Sequence, residues 1–448
     1  MAGARRGPTA SLIRCPRESH KAARRVTASF ASPNYSHGCL PARARRRGVG
    51  QTAFCICICP ARLKLEPPLE MDSRCGPRWS LWLLLLGAAL LLAALVSVLL
   101  LYPPSQQRPD DAADRRQLQR GEAVRLLVDT DAGVDDAAAL LLALATPGVS
   151  LEAVTCVHGN AAVRQVCRNV LSTLRAAHRL DVAVYAGAER PLGLPPPPTA
   201  PYFGADGFGD LQLDEDASPD PDRYLRDLNA SDALVQMAAK EPGKLSLLCL
   251  GPLTNIALAV QEDPDFLYNL KHIVVLGASV EGIGNVKPGV EFNFYMDPEA
   301  ASFIFDTYNT SSAEKKPITL VPWETIFSRN HITMGWRKSV LGAVGGERVS
   351  LLNRAERAQL AAAASDEEPW LSGDPVAAAV LLRPALVTAS GRYRLAVEVS
   401  GALARGAAFV DYSRELSPRN ARIVQRFDVD LYKRLLLQTL SPRPETLT

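Results

Sequence analysis

The chain has 448 residues, of which 47% are hydrophobic and 22% are charged, and its formal net charge is +3 at pH 7. This length allows one large domain with appended segments. The basic residues are concentrated at the start, because residues 1–70 contain 13 Lys and Arg against 3 Asp and Glu. The remaining body is therefore mildly acidic, which excludes a strongly basic groove for nucleic acid.

The first segment, residues 1–70, is rich in Arg, Ala, Ser and Pro and has no sustained apolar period. This composition predicts a disordered basic N-terminal extension. A mitochondrial-type presequence is an alternative, since Arg and Ser are frequent and acidic residues are scarce. Met71 offers a second start site, and our hypothesis is that residues 1–70 are absent from the main product.

Residues Trp79 to Tyr102 are almost wholly apolar and carry no charge. At about 1.5 Å per residue, a helix of this length spans roughly 36 Å, which is enough to cross a bilayer. Arg74 and Arg78 precede it, and positive charge favours the cytoplasmic side. We therefore expect a transmembrane signal anchor at 79–102, a stalk at 103–122, and a single-pass membrane protein whose main domain, residues 123–448, is lumenal or extracellular.

In the main domain, strand-like apolar runs alternate with helix-like stretches. The strand-like runs are Arg125–Val128, Leu151–Val157, Val182–Tyr185, Leu245–Leu250, His272–Leu276, Ile318–Val321 and Tyr393–Val399. The helix-like stretches are Asp135–Ala145, Ala162–His178, Ala230–Lys240, Thr254–Gln261, Pro298–Asp306 and Asp374–Leu382. This alternation predicts an α/β fold with a mostly parallel sheet and helices on both faces.

A cluster of four aspartates follows the first strand-like run. Asp129, Asp131, Asp135 and Asp136 lie between that run and an apolar helix-like stretch, and open α/β folds bind their ligands at this edge of the sheet. Four carboxylates this close repel one another unless a positive group or hydrogen-bond donors lie among them. We expect a hard divalent cation held by oxygen ligands. The alternative is a polar loop whose acids cap a helix.

Further polar groups occur at later strand ends and loops, and they are His158-Gly-Asn160, Gly251-Pro-Leu-Thr-Asn255, Asn285, Glu291, Asn293, Asp297 and Asp374. Carboxylates accept hydrogen bonds and amides also donate them, so Asn and Glu at strand ends suit a ligand with many hydroxyl groups. Asp297 and Asp374 each precede a proline, which is typical of a helix N-cap. For Asp297 we expect capping.

Four motifs agree in order and spacing with a known family, and they are Asp129-Thr-Asp131-Ala-Gly-Val-Asp-Asp136, Gly251-Pro-Leu-Thr-Asn255, Glu291-Phe-Asn293 and Asp297-Pro-Glu-Ala300. Residues 123–440 resemble the inosine–uridine-preferring nucleoside hydrolases. The resemblance implies a nucleoside-hydrolase fold, with a Rossmann-like sheet that is mixed but mostly parallel. It implies one Ca²⁺ ion as cofactor and a ribonucleoside substrate whose N-glycosidic bond is hydrolysed to free base and ribose. It also implies a homo-oligomer, either a dimer or a tetramer.

The resemblance further implies a role for each matching residue. Ca²⁺ would be held by the carboxylates of Asp131, Asp136 and Asp374 and by the backbone carbonyl of Leu250. Asp131 also matches the catalytic base that takes a proton from the attacking water. The residues that match the family's contacts to ribose and its 5′-hydroxyl are Asp135, Asn160, Asn285, Glu291 and Asn293. Asp129 matches an acid that lies behind the others and orients the loop.

The sequence departs from the family pattern at the end that would handle the departing base. Ser372-Gly373 stands where many members have a histidine before the metal-binding aspartate, and Phe203 stands where their flap loop has one. His158 is an alternative acid. Aromatic stacking is another way to activate a base, and the candidates, each of which could equally be a packing residue, are Phe203, Phe208, Trp323 and Trp370.

Two rival interpretations remain open from the sequence. One is a catalytically weakened family member that binds nucleosides without efficient turnover, because the usual histidines are missing. The other is a haloacid-dehalogenase-type phosphatase, whose hallmark is also Asp-x-Asp after a strand. Gly133 and the pair Asp135-Asp136 argue against the phosphatase.

Overall fold

The computed structural model describes Gly87 and residues 123–211, 219–308, 317–328 and 332–442. The predicted extension at 1–70 and the stalk at 103–122 lie outside the described residues, as does the segment 79–102 apart from Gly87. The main domain is the part of the chain in which strands and helices follow one another.

The predictions of a membrane protein that rested on the segment 79–102 are corrected by one finding on the described residues. Within the described ranges, no helix combines the length and the apolar character that a membrane crossing requires. The helix Val163–Ala176 has 14 residues, or about 21 Å at 1.5 Å per residue, whereas a bilayer core is about 30 Å thick. The prediction of a single-pass membrane protein with a lumenal or extracellular domain is therefore wrong by this finding, and so is the membrane as a partner.

The elements of the main domain alternate as the sequence predicts. The strands are β1 (Val124–Thr130), β2 (Val149–Cys156), β3 (Ala183–Ala186), β4 (Leu245–Cys249), β5 (His272–Leu276), β6 (Ile318–Val321), β7 (Val387–Tyr393), β8 (Leu395–Val397), β9 (Ala408–Val410) and β10 (Ala421–Phe427). The α-helices are α1 (Val134–Ala145), α2 (Val163–Ala176), α3 (Pro221–Tyr224), α4 (Ala230–Lys240), α5 (Thr254–Glu262), α6 (Phe292–Met296), α7 (Pro298–Thr307), α8 (Trp323–Phe327), α9 (Met334–Trp336), α10 (Gly346–Ala355), α11 (Arg357–Ala362), α12 (Asp374–Leu382) and α13 (Val429–Leu440).

Eight strands form one sheet in the order β3-β2-β1-β4-β5-β6-β10-β7. Every neighbouring pair is parallel except β10 and β7, which are antiparallel. Buried apolar residues form one cluster with α1, α2, α12 and α13 and a second cluster with α4, α5 and α7. The prediction of an α/β fold with a mixed, mostly parallel sheet and helices on both faces is confirmed.

Two helices in the first cluster are buried almost all round. In α1, ten of the 12 residues are buried, and all nine residues of α12 are buried. Both helices begin with acidic residues, which are Asp135 and Asp136 in α1 and Asp374 in α12. The backbone N–H of Gly373 donates to Asp135 Oδ2 at 3.3 Å. The fold thus brings the N-termini of two helices together although they are 238 residues apart in sequence.

The predicted strand Tyr393–Val399 is divided in the structure. Its first residue ends β7 in the large sheet, and Leu395–Val397 forms β8, which pairs with β9 in a separate two-stranded sheet. The buried side chain of Asn420 occupies the break, because it accepts from the N–H of Leu395 at 2.8 Å and donates to the carbonyl of Leu395 at 2.9 Å. An amide side chain therefore takes the place of a neighbouring strand at the point where the chain changes sheets.

Candidate active site

A cavity of about 1160 Å³ opens at the carboxyl ends of the parallel strands. Eight of the nine predicted site residues line it, and they are Asp131, Asp135, Asn160, Leu250, Asn285, Glu291, Asn293 and Asp374. The ninth, Asp136, is fully buried behind this wall. Residues from positions 131 to 374 converge here because parallel strands end at the same edge of the sheet.

Asp129 occupies the buried floor beneath the cavity. Its Oδ1 accepts from the Thr155 hydroxyl at 2.5 Å and from Asn255 Nδ2 at 2.8 Å. Burial raises the pKa of Asp129 to about 7, although these two hydrogen bonds act to lower it. Asn255 also accepts from the N–H of Ala188 through its Oδ1 at 2.8 Å. The motif that contains Asn255 therefore serves to connect the ends of β1 and β2 with the loop after β3.

Asp136 holds the turn between β1 and α1. Its Oδ2 accepts from the N–H of Gly133 at 2.8 Å, and its Oδ1 accepts from the Thr130 hydroxyl. A side chain at the third helical position that reaches back to the N-cap backbone is half of a capping box. Ala132 has a positive φ of 36°, which turns the chain sharply between the two elements. The turn thus points the neighbouring aspartates into the cavity.

Three carboxylates meet where the two helix N-termini converge. Oxygen atoms of Asp135, Asp136 and Asp374 all lie within 4.8 Å of one another. Asp374 Oδ1 is buried and has no hydrogen-bond partner among the described residues. Burial raises the pKa of Asp374 well above its usual range, and the charges of Asp135 and Asp136 raise it further. Clustered carboxylate oxygens, one of them unpaired, fit a hard divalent cation.

Asp131 lies beside this triad and faces the cavity. Its Oδ2 accepts from the N–H of Asn160 at 2.8 Å. Burial raises the pKa of Asp131 well above its usual range, and the negative charge of Asp136 raises it further. The carboxylates that lie within 4.8 Å of one another are those of Asp135, Asp136 and Asp374. This group differs from the predicted metal ligands, because it contains Asp135 and not Asp131. The predicted metal set of Asp131, Asp136, Asp374 and the Leu250 carbonyl stays a prediction.

Glu291 and Asn293, two of the residues expected to contact a sugar, line another part of the cavity wall. Glu291 begins α6 and accepts from the N–H groups of Ala278 at 2.9 Å and Asn293 at 3.0 Å. Burial raises the pKa of Glu291 to about 7. Asn293 Nδ2 donates to the carbonyls of Leu250 at 2.7 Å and Leu276 at 3.2 Å. These bonds hold both side chains in place at the cavity wall before any ligand binds.

Glu324 had no predicted role, and the structure gives it one. This buried carboxylate accepts from the Ser279 hydroxyl at 2.5 Å and from the N–H groups of Val280 at 2.9 Å and Glu281 at 3.1 Å. It thereby fixes the loop that leads to Asn285. The available sequence signal was an acid three residues beyond a strand end, at the same sheet edge as the other acids.

The candidate aromatic residues separate into two groups. Phe203 and Trp323 line the cavity. Phe208 is 1% exposed, and Trp370 is buried with its indole N–H donating to Glu356 at 3.2 Å. Neither of these two lines the cavity, so the structure favours packing roles for them and leaves Phe203 and Trp323 as stacking surfaces.

His158 lies beneath the cavity and does not line it. Its Nε2 is 3.0 Å from the Thr254 hydroxyl, which donates its single proton to Asp297 Oδ2 at 2.6 Å. Nε2 of His158 must therefore carry a proton and donate it to Thr254. Asp297 Oδ1 also accepts from the N–H of Ala300 at 3.0 Å, as expected of an N-cap. This geometry gives His158 a structural role.

Comparisons with known proteins agree with this geometry. Residues 126–434 match the profile of the inosine-uridine preferring nucleoside hydrolases. An uncharacterized protein of Schizosaccharomyces pombe is 32% identical over 326 residues, which make up 72% of this chain and 100% of that protein. The chain belongs to the inosine-uridine preferring nucleoside hydrolase family.

Similarity to other nucleoside hydrolases extends over different lengths. Uridine nucleosidase 1 of Arabidopsis thaliana is 38% identical over 186 residues, which are 41% of this chain and only 54% of that protein. The structure of an inosine-guanosine nucleoside hydrolase superposes with a TM-score of 0.64 at 27% identity, over 71% of this chain and 98% of that one. The family places the chain among hydrolases that act on N-glycosyl compounds, which removes the phosphatase interpretation.

The first prediction concerns Gly159, where a Cβ atom would lie 2.1 Å from Asp131 Oδ2. We expect Gly159→Ala to displace this carboxylate and to lower kcat about 10²-fold, the usual effect of a misplacement near 1 Å. Gly373→Ala is the matched control, because its methyl would meet only the ends of the Leu276 and Ile326 side chains, at 3.2 Å and beyond. Steady-state kinetics would measure kcat for both variants. A higher kcat for Gly159→Ala than for Gly373→Ala would contradict the prediction.

The second prediction concerns stability against pH. The pKa values of Asp129, Asp135 and Glu291 are raised to about 7, whereas acids in an unfolded chain titrate near 4. Between pH 4 and 7 the folded state binds more protons, so the metal-free protein loses stability as the pH rises through 7. We expect Tm in chelator to be lower at pH 8 than at pH 5.5, and CaCl₂ to raise Tm more at pH 8. A Tm in chelator that rises across this interval would contradict the prediction.

Proposed function

We propose that this chain is a calcium-dependent hydrolase that cleaves the N-glycosidic bond of ribonucleosides and releases free base and ribose. The observation that carries the proposal is the convergence of Asp131, Asp135 and Asp374 on the cavity at the N-termini of two buried helices. Carboxylates in this arrangement suit both a divalent cation and a reaction that develops positive charge on a sugar.

Ca²⁺ would be held by Asp131, Asp136 and Asp374 with the carbonyl of Leu250, and Asp135 lies within reach of the same position. The unpaired buried oxygen of Asp374 and the proximity of its carboxylate to those of Asp135 and Asp136 support a cation at this position. Asp131 and Leu250 line the same cavity. The chemistry that calcium supplies when bound is the acidification of a water molecule and the orientation of ribose hydroxyls.

Asp131 is proposed as the general base. Its carboxylate lies at the cavity surface, and the N–H of Asn160 holds one of its oxygens in place. The other oxygen is directed to accept a proton from water as that water attacks C1′ of the ribose. The neighbouring carboxylates stabilise the oxocarbenium-like charge that develops on the sugar in the transition state.

Asp135, Asn160, Asn285, Glu291 and Asn293 are proposed to bind the ribose. They line one cavity with Asp131, and their amide and carboxylate groups can donate to and accept from hydroxyl groups. Glu291 and Asn293 are fixed by hydrogen bonds to backbone groups. Such preorganisation orients the sugar for attack at C1′ without further ordering of these side chains.

A second candidate function is nucleoside binding with weak turnover. The observation that favours it is that none of the described residues lining the cavity is a histidine. The names of the relatives give no single base for this chain, because one is a uridine nucleosidase and another is an inosine-guanosine nucleoside hydrolase. Turnover of several nucleosides therefore has to be measured together.

The third prediction tests the proposed activity itself. We expect the purified protein to release ribose from at least one of inosine, guanosine, adenosine and uridine. We also expect EDTA to abolish this release and CaCl₂ to restore it, because the clustered carboxylates repel without a cation. A reducing-sugar assay measures the product. Binding of a nucleoside by calorimetry without any release of ribose would favour the second candidate function.

The fourth prediction concerns the proposed base. Asp131→Asn keeps the size of the side chain and removes its ability to accept a proton, so we expect kcat to fall by about 10²- to 10⁴-fold. Asp181→Asn is the matched control, since Asp181 is an exposed residue paired with Arg179, and it should retain the wild-type rate. An Asp131→Asn variant with more than about a tenth of the wild-type kcat would exclude Asp131 as the base.

A further inference from the structure

The cavity needs a proton donor at the end that receives the base. Cleavage of the C1′–N bond leaves the bonding electron pair on the base, and a proton delivered to the base as the bond breaks lowers that barrier. This inference rests on the proposed hydrolase function. The question is which side chain of the described cavity wall carries a proton that serves no other purpose.

Three of the possible donors on the wall are unsuitable. The Tyr295 hydroxyl already donates to the carbonyl of Pro197 at 2.9 Å. The ammonium group of Lys287 lies over the Tyr295 ring, 5.5 Å from its centroid. The indole of Trp323 donates hydrogen bonds but is not an acid in this pH range. His158 lies beneath the cavity and gives its Nε2 proton to Thr254.

Tyr202 differs from these residues. It lines the cavity, it is 60% exposed, and its hydroxyl has no hydrogen-bond partner among the described residues. Its ring meets the Phe203 ring edge to face, with centroids 4.8 Å apart and an interplanar angle of 80°. The Phe203 ring lies against the backbone of Gly133, just before α1, since a Cβ on Gly133 would lie 3.0 Å from that ring. The Tyr202 ring therefore packs on a residue that contacts the turn between β1 and α1, and Tyr202 lines the same cavity as Asp131 and Asp135.

The backbone around Tyr202 is fixed by the rest of the domain. Gln359 Nε2 donates to the carbonyl of Tyr202 at 2.9 Å, and the N–H of Gly209 donates to the carbonyl of Phe203 at 2.6 Å. Burial and the charges of Asp135 and Glu356 raise the pKa of Tyr202 above its ordinary value. A phenol with a pKa of about 10 or above is protonated at neutral pH, so Tyr202 carries a proton that it can donate.

We propose that Tyr202 is the general acid for the departing base. As the C1′–N9 bond of a purine nucleoside breaks, its electron pair passes into the base, and the Tyr202 O–H proton passes to N7. The proton of the attacking water goes to Asp131, and the Tyr202 phenolate regains a proton from solvent after the base leaves. The reaction therefore needs no co-reactant other than water.

The test compares leaving groups that do and do not need a proton. 4-Nitrophenyl β-ribofuranoside releases a stable phenolate, whereas inosine releases a base that needs a proton. With the full-length protein and CaCl₂, we expect Tyr202→Phe to lower kcat for inosine about 10²-fold or more and to change kcat for the nitrophenyl riboside less than about threefold. We expect Tyr202→His, which supplies another acid, to restore part of the inosine rate.

The matched control is Tyr295→Phe, which removes a hydroxyl from the same cavity and should change both rates by the same factor. The inference is overturned if Tyr202→Phe lowers both rates equally, or lowers neither, while the wild type cleaves both substrates. A wild type that cleaves neither substrate overturns the proposed hydrolase and this inference with it. Thermal unfolding of Tyr202→Phe at the wild-type Tm would show that loss of the hydroxyl leaves the fold intact.

Discussion

The burial of like-charged carboxylates at two converging helix N-termini is the constraint on which this structure depends. Removing an ionised carboxylate from water costs several kcal/mol unless hydrogen bonds or opposite charge offset it. The N–H groups of Gly133, Asn160 and Gly373 offset part of that cost. The positive ends of the helix dipoles of α1 and α12 offset a further part of it. The negative charge that remains makes a divalent cation the natural partner of this cluster.

A layer of buried polar residues keeps the surrounding loops in position for that cluster. Asn255 joins the ends of β1 and β2 to the loop after β3. Glu324 fixes the loop before Asn285, and Asp297 joins a helix N-terminus to the chain at Leu192. Their partners are mostly backbone N–H groups. Because loops at a sheet edge have no strand neighbours, such side chains are how their backbone donors are satisfied.

The two ends of the cavity differ in their chemistry. The proposed sugar end lies at strand ends and helix N-termini. The proposed base end consists of Tyr202 and Phe203 on the loop after β3 and of Trp323 beyond β6. Function-specific variation is expected on loops carried by a rigid scaffold, and this chain follows that pattern, because its departures from the family fall at the base end.

The sequence by itself determined the fold class, most element bounds and the acid cluster at the first strand end, because period and local motif are properties of neighbouring residues. It did not predict β10, α13 or the break after Tyr393, where pairing depends on distant segments. Only the tertiary structure decided that Asp374 meets Asp135 and Asp136, that Glu324 fixes a loop, and that Tyr202 lines the cavity. These contacts join residues that are far apart in the chain, and their distances depend on how the helices pack across the sheet.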